Sequence, residues 1–74
     1  MNIRKLKGKV FEKYATQGEC AEKLGISRAY LNEIVNGRRK IDLEMATSLV
    51  NVLELNEQEA LDIFFPSLVA KSKQ

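Results

Sequence analysis

The stretch "ECAEKLGISRAYLNEIVNG", Glu19 to Gly37, constrains this chain more than any other. Its apolar residues recur at helical spacing on both sides of Gly25, yet a glycine inside a helix costs about 1 kcal/mol relative to alanine. A left-handed residue that closes one helix is cheapest as glycine, and a serine two residues on is a good N-cap for the next. The stretch therefore reads as two short helices joined by a sharp turn at Leu24, Gly25, Ile26 and Ser27. Ile26 enters the crevice between them, and Ala21 is small enough to let Leu31 approach. Two helices meeting this way form a helix-turn-helix, and the second is pushed out from the body.

The flanking residues supply that body. Ile3, Leu6, Val10, Phe11 and Tyr14 recur at helical spacing and give a first helix over 3–14. Thr16 caps a second over 17–24, with Cys20, Ala21 and Leu24 inward. The third spans 28–36, its inward residues Leu31, Ile34 and Val35, and Gly37 stops it. Asp42 caps a fourth, with Leu43, Ala46, Leu49, Val50 and Leu53 inward. Asn56 followed by Glu59 is a capping-box pattern for a fifth, which Pro66 ends. No stretch reads as a strand, and there is no repeat or low-complexity linker. The expected fold is all-α, a compact bundle of five short helices, with residues 1–66 as the domain and 67–74 as a tail.

A single cysteine, Cys20, and no histidine leave no internal disulfide and remove most zinc sites and acid–base constellations. No enzyme, metal or cofactor is expected. No run approaches the roughly 20 apolar residues of a membrane span, and the basic start lacks a signal peptide's apolar core. A cytoplasmic location is expected. A chain of 74 residues buries only about 60% of its unfolded surface, so a partner subunit bears on stability. The net charge of +2 hides an uneven distribution. Arg4, Lys5, Lys7, Lys9 and Lys13 face only Glu12 near the start, Arg38, Arg39 and Lys40 follow the third helix, and residues 41–66 carry only acids. Such asymmetry points to one face for a polyanion.

"TQGECAEKLGISRAYLNEIVNGRR" resembles the helix-turn-helix of the phage Cro/CI-type repressors, the XRE family. The resemblance rests on Thr16-Gln17, Ala21, the Leu24-Gly25-Ile26-Ser27 turn, Leu31, Ile34 and Asn36-Gly37, and it continues through "IDLEMATSLVNVLEL". It covers residues 3–64. It implies a lambda-repressor-like fold and a sequence-specific DNA-binding regulator, a small phage or prophage Cro-like or repressor protein. The alternative is a protein-interaction module, an antitoxin or anti-repressor on the same fold. A pure protein binder has no need of Arg38, Arg39 and Lys40 beside an exposed helix.

On a helical wheel centred on Leu31, Ile34 and Val35 mark the buried side of the third helix, Ala29, Glu33 and Asn36 lie opposite, and Arg28 and Asn32 flank them. The candidate base contacts are Arg28, Ala29, Asn32 and Glu33. Arginine pairs with guanine O6 and N7, alanine meets a thymine methyl, asparagine addresses adenine, and glutamate accepts from cytosine N4. In the family, residues at the start of this helix read bases, and Arg28 and Ala29 occupy those positions. The candidate phosphate contacts are Thr16 and Gln17 at the second helix N-terminus, the Tyr30 hydroxyl, Asn36, and Arg38, Arg39 and Lys40. Asn36 matches a family residue that grips phosphate, and Gln17 one that bonds the DNA backbone or the recognition helix. Lys5, Lys7 and Lys9 are weaker candidates. Gly18 departs from the family pattern and is expected to weaken the first turn of its helix and loosen Gln17.

The end of the chain, "ALDIFFPSLVAKSKQ", is apolar around a wide arc. Phe64, Phe65, Leu68 and Val69 are the candidate surface of a two-fold homodimer. A dimer sets two recognition helices about one DNA turn apart, roughly 34 Å, on a palindromic operator.

Overall fold

The computed structural model describes residues 1–68. Five helices follow in order: α1 Ile3–Lys13, α2 Gln17–Leu24, α3 Arg28–Val35, α4 Leu43–Val52 and α5 Glu57–Phe64. No strand occurs among the described residues. Helices of this length are marginal alone in water, so capping and packing must hold them. Every helix has a polar N-cap whose side chain accepts a backbone N–H: Asn2, Thr16, Ser27, Asp42 and Asn56. Such caps contribute about 1 kcal/mol each. At α5 the capping box is complete, with Glu59 returning to the Asn56 N–H at 3.0 Å.

Three helices end in the same backbone device. After α2, Gly25 sits at φ 73° and the Ile26 N–H donates to the Ala21 carbonyl at 3.0 Å. After α3, Gly37 sits at φ 73° and the Arg38 N–H donates to the Glu33 carbonyl at 2.9 Å. After α4, Glu54 takes the left-handed position at φ 52°, and the Leu55 N–H donates to the Val50 carbonyl at 3.0 Å. The two glycines follow from the absence of a Cβ clash; Glu54 is the one non-glycine residue with positive φ among the described residues.

The core is Leu6 and Val10 of α1, Cys20 and Ala21 of α2, Leu31, Ile34 and Val35 of α3, Leu49 of α4, Leu53 and Leu55 after it, and Ile63 of α5. Two sequence expectations fail here. Leu43 is 77% exposed and Phe11 is 49% exposed, although both fit an inward helical spacing. Leu43 is the first residue of α4 and rims a groove instead of filling the core. Leu6 and Val10 already supply the inward side of α1, and Phe11 follows them round its circumference. Burial also pushes the Cys20 thiol pKa up, which keeps it neutral.

Polar clips close the bundle. The Asn2 N–H donates to the Ile63 carbonyl at 2.6 Å, Lys5 pairs with Asp62 at 2.9 Å, and Lys9 pairs with Glu59. Lys13 pairs with Glu54, and the Tyr14 hydroxyl donates to the Val52 carbonyl at 3.0 Å. The hydrogen bond with Lys9 holds the Glu59 carboxyl below its ordinary pKa, and the same bond raises Lys9. The helix α5 stops at Phe64, as Pro66 requires, because Phe65 must leave helical geometry. Residues 66–68 then resume helical geometry with proline at the first position, where its missing N–H costs nothing.

Candidate nucleic-acid interface

The turn after Leu24 fixes α3 across α2, and the fully buried Leu31, Ile34 and Val35 fix its rotation. Arg28, Ala29, Asn32 and Asn36 are exposed on the other side, and Glu33 is half-buried. The structure thus brings together on one face the four residues expected to meet bases.

A chain of amides ties this face to two other helices. Asn32 Nδ2 donates to Gln17 Oε1 at 3.2 Å, and Gln17 is only 9% exposed. Asn36 Nδ2 donates to the Asn32 carbonyl at 2.7 Å and to Asn32 Oδ1 at 3.2 Å. Lys7 Nζ, from α1, donates to Asn36 Oδ1 at 3.4 Å. Gly18 does not loosen Gln17, contrary to expectation: the burial and the bond to Asn32 hold it. Thr16 Oγ accepts the Glu19 N–H at 3.2 Å, and Glu19 Oε2 accepts the Ala15 N–H at 3.3 Å, which secures the first turn of α2. A Cβ at Gly18 would stand 3.9 Å from Arg28 Cδ, so the glycine leaves space beside the Arg28 stem.

The basic loop divides in two. Arg39 donates to Glu33 Oε1 at 3.4 Å, and its guanidinium lies over the Tyr30 ring. Arg28, Arg38 and Lys40 are exposed, and their side chains make no hydrogen bond or ion pair among the described residues. Of the α1 lysines, Lys5 and Lys9 are engaged by acids of α5, and only Lys7 turns to α3. The sequence did carry a signal for part of this difference, at Lys9 but not at Lys5. Lys9 has Glu12 one turn away, whereas the neighbours of Lys7 at helical spacing are Ile3, Arg4, Val10 and Phe11.

Beyond this face, Met1, Ile3, Ile41, Leu43, Phe64 and Phe65 line an open, largely apolar groove of about 540 Å³. Phe64 is half-buried, Phe65 is 53% exposed and Leu68 is 57% exposed. Val69 lies outside the described residues. No group of His, Cys, Asp or Glu that would hold a metal occurs among the described residues. None of their helices is long and apolar enough to cross a membrane.

A protruding helix set by a glycine turn, with amides and cations on its outer side, defines a helix-turn-helix DNA-binding domain. The helix-turn-helix family model matches residues 12–59, from the end of α1 into α5, and the chain belongs to that family, the XRE or Cro/CI type of regulator. No curated protein and no solved structure matches it. The domain is that of a DNA-binding transcription regulator.

Proposed function

We propose that the protein is a sequence-specific double-stranded DNA-binding regulator, a Cro-like or repressor protein of the phage or prophage type, which inserts α3 into the major groove. The observation that carries this reading is the division of α3: Leu31, Ile34 and Val35 are fully buried, while Arg28, Ala29 and Asn32 stand exposed, and Arg38 and Lys40 of the following loop are exposed with side chains unpaired among the described residues. Arg28 reads a guanine, Ala29 packs on a thymine methyl, and Asn32, pinned by Gln17, presents its remaining carbonyl capacity to the groove edge. Thr16 and the α2 N-terminus meet a phosphate, with Arg38 and Lys40 along the same strand. Glu33 and Tyr30 lie at the periphery and act through Arg39.

The DNA site is palindromic, and two copies of the chain occupy it through the surface of Phe64, Phe65 and Leu68. Exposure of Phe65, which lines the apolar groove, and of Leu68 supports the homodimer. Selection of binding sites from random duplex DNA tests the function. A short sequence with two-fold symmetry is expected to enrich; a pool that stays random overturns the reading.

A further inference from the structure

Three lysines lie close together on α1, and their surroundings differ. Lys5 is paired with Asp62, and Lys9 with Glu59 and Glu12, so both charges serve the contact with α5. Lys7 has no carboxylate partner among the described residues and reaches Asn36 Oδ1 at 3.4 Å. A carbonyl acceptor orients an ammonium without neutralising it, and an ammonium has three donors, of which this bond uses one.

The Asn36 amide is fully committed. Its Nδ2 carries two hydrogens, and Asn32 takes both, at the carbonyl and at Oδ1. No donor is left on that side chain for a phosphate, while its acceptor holds a cation at the same place. The backbone of α1 is fixed relative to α3, because Leu6 and Val10 are fully buried and a Cβ at Gly37 would come within 3.3 Å of Ile3. The Lys7 ammonium is therefore held at the C-terminal rim of the recognition helix.

We infer that Lys7 is a phosphate ligand of duplex DNA and that Asn36 is its positioning residue, holding the ammonium instead of meeting the phosphate itself. The inference rests on the DNA reading of α3 and adds a contact from a helix outside the helix-turn-helix. A counterion is released for each phosphate neutralised, so the charge is visible in the salt dependence of binding.

The experiment measures binding of a labelled mixed-sequence duplex to the full chain between about 50 and about 200 mM salt. Lys7→Gln is expected to flatten the slope of log affinity on log salt by about 0.9 for each protomer bound. Lys5→Gln is expected to keep the parent slope. Asn36→Ala is expected to weaken binding in the parent and to add nothing in the Lys7→Gln background, as a residue acting through the lysine must. The full parent slope in Lys7→Gln, or additive effects of the two substitutions, would overturn the assignment alone. A parent without salt-dependent duplex affinity would overturn the DNA reading of the face, and the assignment with it. Thermal unfolding of Lys7→Gln matching the parent confirms that the fold is kept.

Discussion

The Arg39 guanidinium lies 4.6 Å from the centre of the Tyr30 ring. The same guanidinium donates to Glu33, so one cation of the basic loop is held by the recognition helix itself. An exposed cation–π contact contributes about 0.5–1 kcal/mol, and an exposed ion pair about 0.2–1 kcal/mol. Arg39 must release Glu33 to take a phosphate. Glu33→Gln is expected to strengthen binding to mixed-sequence duplex by up to about 1 kcal/mol and to narrow the gap between selected and mixed sequences. Anisotropy titrations of both duplexes measure this. Equal affinities in parent and variant would show that Arg39 stays on Tyr30 when DNA binds.

Arg28 stands off the buried side of α3, and its side chain makes no hydrogen bond or ion pair among the described residues. Arg28→Ala is expected to cost about 1–3 kcal/mol of binding to the selected site and to relax the preference at one base pair. Its unfolding temperature is expected to match the parent. A variant that ranks mismatched sites as the parent does would remove Arg28 from the readers.

The three left-handed caps make opposite predictions. Nothing lies within 4 Å of a Cβ built on Gly25, so Gly25→Val tests the backbone alone and is expected to cost more than about 1 kcal/mol. Gly37→Ala meets Ile3 as well and is expected to cost more than Gly25→Ala. Glu54→Gly removes the strain at φ 52° and is expected to stabilise by about 0.5–1 kcal/mol, reduced by the loss of the exposed Lys13 pair. Urea denaturation of the four variants decides it; a destabilised Glu54→Gly would show that the ion pair outweighs the strain.

Stability should depend on pH through Lys9 and Glu59. The Glu59 pKa is lowered by its hydrogen bond to Lys9, so its contribution is complete above the unfolded value of about 4.3 and disappears as pH falls through the lowered one. The Lys9 pKa is raised by the same bond, so its contribution is complete below about 10.4 and disappears as pH rises through the raised value. Cys20, raised by burial, subtracts stability from about pH 8.5 upward as the unfolded thiol ionises. Glu59→Gln keeps a residue suited to the capping box. Its deficit relative to the parent is expected to be constant near neutrality and to vanish in acid. Unfolding curves across pH measure it, and a deficit undiminished in acid would assign the loss to the cap.

Phe65→Asp is expected to give a folded monomer, since Phe65 is 53% exposed and outside the core. Operator binding should fall at least tenfold, about 1.4 kcal/mol, while binding to a half site changes little. Sedimentation and titration on full and half sites test both parts. A parent that is monomeric free and on DNA would refute the dimer.

The helix-turn-helix was legible because its signals are local: Gly25, Ser27 and the spacing of Leu31, Ile34 and Val35 each depend on a few neighbouring residues. Four of the five N-caps were legible for the same reason, and Asn2 was missed because nothing marks the first turn of α1 apart from the asparagine itself. Leu43 and Phe11 misled because helical spacing reports which side a residue is on but not whether another helix covers that side. Glu54 in a glycine position was not legible, as nothing near it breaks the apolar pattern. The Lys7–Asn36–Asn32–Gln17 relay joins three helices, and its register is set by packing that periodicity does not encode.

The contact between α1 and α5 turns the row of helices into a closed circuit, since Lys5 and Asp62 are 57 positions apart. Bringing such distant segments together costs more chain entropy than closing the short turn between α2 and α3. The recognition unit is thus expected to assemble early, and the clasp over it late. Interactions that form after the folding barrier act chiefly on the rate of unfolding. The polar clasp, made by residues outside the recognition helix, thus governs the lifetime of the folded molecule, and with it how long a regulator of this size escapes degradation.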